Sequence, residues 1–205
     1  MLAPAVESEI AELAARYGAP RRLAVDLAGS LFNPLTLTDR YGEVCMVVRR
    51  PNGKLITAIK TFYPAGAFRL LAGGVGRGEP IAEALLREIA EETGLEVVVR
   101  RFLAVIEYHL RGLGDRPSNP ELASSNSQPF ATFAFLLDEM GGTLAAQDDD
   151  EQIGAFREVE IAELPAMAHS LEQVPAIVDR RIEGSWRDWG RFRAVVHRVV
   201  YEALV

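Results

Sequence analysis

Residues 73–95 read GGVGRGEPIAEALLREIAEETGL, a glycine-rich turn followed by a helix start and three carboxylates, Glu88, Glu91 and Glu92, on one helical face. Pro80 suits the first helical position, where its missing N–H costs nothing. Gly94 suits the left-handed residue that closes a helix. Between them Ala82, Leu85, Leu86 and Ile89 recur at helical spacing and predict an apolar stripe. The three glutamates stand at i, i+3 and i+4, so they neighbour one another along the flank of that stripe. Most acidic helix faces are simply solvated. Like charges at these spacings nevertheless oppose the helix unless something positive sits against them. A hard divalent cation such as Mg²⁺ or Mn²⁺, which takes oxygen ligands, meets that need. Arg87 can reach Glu91 at i+4 as a fork-shaped partner. A carboxylate-bearing helix behind a glycine loop is suited to pyrophosphate chemistry.

The segment resembles the signature of the Nudix hydrolases: Gly, five residues, Glu, seven residues, then Arg-Glu-apolar-any-Glu-Glu-any-Gly-apolar. Gly73, Glu79, Arg87, Glu88, Ile89, Glu91, Glu92, Gly94 and Leu95 fill all of its fixed positions. The resemblance implies that Glu88, Glu91 and Glu92 are metal ligands. It implies that Glu79 is a supporting carboxylate that ties loop to helix, and that Arg87 orients a ligand carboxylate. Gly73 and Gly74 let the backbone turn sharply and approach a substrate closely.

Outward from the motif the chain has a mixed order. Residues 5–17 predict an amphipathic helix ended by Gly18 and Pro20, and residues 22–38 one or two short strands. Val44 to Arg49 and Leu55 to Phe62 predict a hairpin around Pro51-Asn52-Gly53. Val97 to Tyr108 predicts a long strand or a bent pair, 111–130 a long loop, and Ala131 to Leu137 a strand before the Gly141-Gly142 turn. Residues 153–160 complete the strands, Ala162 to Leu171 predicts a helix, and Ser185 to Leu204 a C-terminal helix. The expected class is α/β, an α+β sandwich. With the resemblance, this is a mixed curved β-sheet between helices, with an N-terminal extension (1–40) and a catalytic domain (41–205) that includes the C-terminal helix.

A net charge of −7 over 205 residues argues against binding nucleic acid through its phosphates. Apolar content of 49% and charged content of 25% are those of a globular protein. Cys45 is the only cysteine, so no disulfide forms within the chain. Glu7, Glu9 and Glu12 break any secretory signal, and no apolar run spans a membrane. The expected compartment is the cytoplasm.

The acidic run 148–151 precedes the last strand. The resemblance implies that a carboxylate here serves as general base or additional metal ligand, with Glu151 the first candidate and Asp149 the second. Arg49, Lys60 and Arg69 flank the motif and are candidates for substrate phosphates. The expected function is metal-dependent hydrolysis of a nucleoside diphosphate linked to another group, of ADP-ribose or sugar-nucleotide type, giving a nucleoside monophosphate and a phosphorylated product. A nucleoside triphosphate house-cleaning pyrophosphatase and a non-catalytic ligand-binding regulator are the alternatives. The proline that ADP-ribose-type members often carry beyond the motif is missing from 108–114. An allylic diphosphate isomerase would need a reactive cysteine, and Cys45 has no visible activating partner in sequence. The N-terminal extension leads us to expect a homodimer.

Overall fold

Val44, Met46 and Val48 pack into one core while Cys45 and Val47 pack into another, the period-two signature of a strand buried on both faces. They form the centre of β2 (Arg40–Arg49) in the computed structural model, which describes residues 2–28, 40–111 and 130–205. Around β2 lie β1 (Arg21–Ala28), β3 (Leu55–Lys60), β4 (Arg69–Gly76), β5 (Leu95–Arg111), β6 (Phe130–Gly142) and β7 (Ile153–Val159). They make one mixed sheet in the order β1-β5-β6-β2-β4-β3-β7. The β1–β5 and β2–β6 pairs are parallel and the other ladders antiparallel.

Among the described residues, two helices cover each face. On one, α1 (Pro4–Tyr17) and α2 (Ile81–Thr93) contribute Ile10, Leu13, Ile81, Ala84, Leu85 and Ile89 to the core with Val44 and Met46. On the other, α3 (Leu164–Glu172) and α4 (Trp186–Leu204) contribute Leu164, Met167, Phe192, Val196, Val199 and Val200. Ser185 caps α4 by accepting the Arg187 N–H at 3.3 Å. A two-stranded ribbon, β8 (Val178–Asp179) with β9 (Gly184–Ser185), leads into it. The α/β class expected from the sequence is thus present, with helices on both sides of the sheet.

Several local expectations change. Pro80 is the N-cap of α2, extended at ψ 142°, and Ile81 is the first helical residue. Leu86 is 57% exposed and not part of the apolar stripe, whose place is taken by Ile81, Ala84, Leu85 and Ile89, with Glu88 and Glu92 buried beside them. In this orientation the Glu88 carboxylate occupies the space that a side chain at Gly73 would fill. Val97 to Tyr108 belongs to a single strand that runs from Leu95 to Arg111 with three register shifts. Of the 22–38 region, β1 is seen in parallel with β5, while 29–39 lie outside the described residues, as do 112–129 of the predicted long loop. The N-terminal stretch is built into the main body. Leu2, Ile10 and Leu13 are buried, and the Glu9 carboxylate accepts the Ala82 N–H at 3.1 Å, capping an α2 start that Pro80 cannot cap itself. No helix among the described residues is long and apolar enough to cross a membrane.

Candidate functional site

The site begins at Ala72-Gly73-Gly74 in β4. Gly73 pairs with Val44 and Gly74 with Glu43. A Cβ on Gly73 would stand 1.9 Å from both Cδ and Oε2 of Glu88, so the Glu88 carboxylate fills the space of the missing side chain. This close approach of α2 to β4 buries Glu88, and burial raises its pKa against the pull of Arg87.

Arg87 holds the cluster together from outside. Its Nη1 donates to Glu88 at 2.8 Å and Glu91 at 3.0 Å, Nε donates to Glu79 at 2.9 Å, and Nη2 donates to the Gly74 carbonyl at 3.0 Å. Glu79 Oε2 also accepts the Gly76 N–H at 2.8 Å, so it links the glycine loop to the helix. The Arg87 hydrogen bonds hold the Glu79 carboxyl below its ordinary range.

Glu151 arrives from the segment between β6 and β7. It ends a 3-10 turn, Asp149–Glu151, and the next residue, Gln152, has φ of 51°, an unusual left-handed conformation for a non-glycine residue. Carboxylate oxygens of Glu88, Glu91 and Glu151 come within 4.8 Å of one another. Lys60 Nζ donates to Glu151 Oε2 at 2.9 Å.

Glu92 stands behind this group. It is fully buried, 3.5 Å from the Arg69 guanidinium, and neither of its oxygens has a hydrogen-bond partner among the described residues. Burial, opposed by Arg69 and Lys60, pushes its pKa up to about 7. Buried carboxylate oxygens without donors are costly, and a divalent cation would satisfy them. With three converging hard oxygen donors in front and an orphaned carboxylate behind, the residues present fit Mg²⁺ or Mn²⁺.

Glu88 and Glu151, but not Glu91 or Glu92, line a cavity of about 420 Å³, a volume in the range of small-molecule sites. Of the sequence candidates, Lys60, Arg69, Gly73, Gly74, Glu79, Arg87, Glu88 and Glu151 line it. Arg69 is nearly completely buried, and its donors are taken by the Tyr63 hydroxyl and the Leu70 and Ala72 carbonyls, so it braces the floor and Glu92. Arg49 is not among the lining residues. It sits at the far end of β2, paired with Asp138, because the strand carries it roughly 20 Å beyond Glu43 at ~3.3 Å per residue. The side chain of Asp149 lies outside the described part of the structure. Asp148 accepts the Asp150 N–H at 2.9 Å, and these two border a shallower depression with Glu91 and Gln147.

Sequence reasoning missed Glu43, Tyr63 and Arg193, all on the cavity wall. Arg193, on α4, donates to Glu43 at 2.7 Å across 150 positions, a contact with no local signal. Glu43 also accepts from Thr132, which in turn bonds Tyr108. Cys45 is wholly buried under α4 with its thiol pKa raised by burial, unsuited to the reactive role an isomerase would require.

The NUDIX domain family model matches residues 39–179. An ADP-ribose pyrophosphatase of Methanocaldococcus jannaschii is 31% identical over 128 residues, covering 62% of this chain and 66% of the relative. The chain therefore spans just under two thirds of that relative's length. A solved UDP-X diphosphatase has a TM-score of 0.46 at 17% identity over 83% of this chain and 66% of its own. A solved ADP-ribose pyrophosphatase from Streptococcus suis has a TM-score of 0.44 at 15% identity, covering 80% of this chain and 90% of its own.

Proposed function

This chain belongs to the NUDIX domain family, and from that premise we propose that it is a divalent-metal-dependent hydrolase cleaving the pyrophosphate of a nucleoside diphosphate linked to another group, ADP-ribose or a sugar nucleotide. The observation that carries this reading is the convergence of Glu88, Glu91 and Glu151 within 4.8 Å of one another, with Glu88 and Glu151 lining a cavity that also holds Lys60 and Arg193. The 31% identical relative, named an ADP-ribose pyrophosphatase, supports the substrate class. All the motif glutamates are retained, which favours catalysis over a purely ligand-binding regulator.

Glu88 and Glu91, with Glu92 behind them and Glu151 opposite, would hold Mg²⁺ or Mn²⁺. When bound, the ion supplies charge neutralisation at the pyrophosphate and lowers the pKa of water. Arg87 fixes the Glu88 and Glu91 carboxylates, and Glu79 fixes Arg87 and the loop. Glu151 is the proton acceptor for the attacking water, coming from the side opposite α2. Lys60 faces the substrate phosphates from a cavity wall that includes Gly73 and Gly74. The products are a nucleoside monophosphate and a phosphorylated second group.

The test is a panel of ADP-ribose, sugar nucleotides, dinucleotides and nucleoside triphosphates with Mg²⁺ or Mn²⁺, followed by product analysis. Release of nucleoside monophosphate from the two-part substrates supports the proposal. Turnover confined to triphosphates would move the protein to the house-cleaning class, and no turnover at all would remove the enzymatic reading. We place the protein in the cytoplasm as a homodimer, with the N-terminal α1–β1 stretch part of the dimer or substrate site. β1 forms one edge of the sheet, and a monomer by light scattering at micromolar concentration would rule the dimer out.

A further inference from the structure

The contact between Lys60 and Glu151 has a consequence for cation binding. Lys60 lies on β3 where the ladder with β7 slips: Ile59 pairs with Ala155 but Lys60 pairs with Ile153. This bulge re-aims the side chain, as bulges beside functional sites commonly do. The Thr61 N–H donates to the Gln152 carbonyl at 2.8 Å, and Gln152 takes its left-handed turn there. The local backbone thus brings Lys60 Nζ to 2.9 Å from Glu151 Oε2. Both side chains are about one-fifth exposed, 19% and 20%, so this is not a solvated surface pair. Glu151 is at the same time the member of the convergent trio that comes from outside the motif helix. A divalent cation gathered by Glu88 and Glu91 must therefore compete with Lys60 for one carboxylate.

We propose that Lys60 is a built-in counter-ion of Glu151 that a divalent cation displaces on binding, so that loading of the site frees the Lys60 ammonium to face the cavity. This deepens the hydrolase reading and rests on the cation site it assumes. Two features support exchange over simple coexistence. An ammonium and a divalent cation sharing one carboxylate repel each other at close range, where Coulomb energies are large. Lys60 also has a place to go, because it lines the cavity alongside Tyr63 and Arg193, where an anionic phosphate would lie. A lysine on its flexible stem can make this move where an arginine braced on several acceptors, such as Arg69, cannot.

The test is a double-mutant cycle read by Mn²⁺ binding alone, using calorimetry or water-proton relaxation on the full chain without substrate. Lys60→Met is expected to tighten Mn²⁺ about tenfold, which corresponds to about 1.4 kcal/mol. In a Glu151→Gln background the same change should alter affinity less than twofold, since the competition has been removed. Lys60→Arg, which keeps the charge, should stay within threefold of wild type and guards against a folding defect in Lys60→Met. Equal tightening in both backgrounds would show that Lys60 acts only through its long-range field, and no tightening would show no competition. Either result overturns the proposal. The cation site itself is reported separately, by Mn²⁺ binding to the wild type and its loss in Glu88→Gln. A protein that binds Mn²⁺ and shows the Lys60 effect, yet hydrolyses nothing in the panel, would refute the hydrolase reading and leave the exchange standing.

Discussion

Replacing His197 by Gln should abolish a specific acid sensitivity of the fold. His197 is fully buried on α4. Its Nε2 accepts the Leu70 N–H at 3.1 Å, and its Nδ1 lies 2.7 Å from the Arg193 carbonyl, which assigns the proton to Nδ1. The ring fastens α4 to the start of β4, the strand that carries the glycines of the site. Burial drives its pKa down from 6.5 to about 4, with the Arg193 carbonyl bond opposing and the charges of Arg193, Arg69 and Arg198 assisting. The folded state thus resists protonation while the unfolded state accepts it. Above pH 6.5 both states are neutral at this ring and its contribution to stability is fully present. Between pH 6.5 and 4 the unfolded chain binds the extra proton and stability falls with pH. Below about 4 both states are protonated and that contribution is lost. The shift from 6.5 to about 4, at about 1.36 kcal/mol per pH unit, amounts to about 3 kcal/mol. Gln keeps an acceptor for the Leu70 N–H but does not titrate. Urea unfolding followed by fluorescence of Trp186 and Trp189, both buried, gives the stability at each pH. Between pH 7 and 4 the wild type should lose about 3 kcal/mol more than His197→Gln. Parallel curves within about 1 kcal/mol would show that the ring is not held neutral by burial.

Gly73→Ala places a methyl on the Glu88 carboxylate. It should weaken Mn²⁺ binding at least about tenfold and cost roughly 1–3 kcal/mol of stability, and a variant that binds Mn²⁺ normally would contradict the packing described. Glu151→Gln should lower kcat by about 10²–10⁴ with little change in KM, with partial recovery at high pH where hydroxide replaces the base. Near wild-type rates would move the base elsewhere. Glu91→Gln should reduce metal-dependent turnover by orders of magnitude while leaving the circular dichroism spectrum unchanged, because its side chain is half-exposed and its loss opens no cavity. Glu183, exposed with φ of 47° after the 3-10 turn Arg180–Ile182, should accept glycine with a gain of up to about 1 kcal/mol in thermal unfolding.

The local parts of this protein were legible in its sequence. Helical spacing between Pro80 and Gly94 marks α2 to within a residue at its start, and the unbroken apolar, β-prone run Val44 to Val48 marks a strand, because both signals are properties of a few consecutive residues. The Arg87–Glu91 contact follows from i,i+4 geometry, and the nine motif positions indicated the family. Tertiary structure alone decided how α2 is turned, leaving Leu86 in solvent and burying Glu88 against Gly73 and Glu92 against Arg69. It decided that Lys60 meets Glu151 across 91 positions, His197 meets Leu70 across 127 and Arg193 meets Glu43 across 150. It also carried Arg49 to the far end of β2, away from a cavity that its place in the sequence had associated it with. These pairings are set by the order β1-β5-β6-β2-β4-β3-β7 and by which helix covers which face. That order follows from burying two apolar cores at once, a condition on the whole chain that no window of neighbouring residues contains.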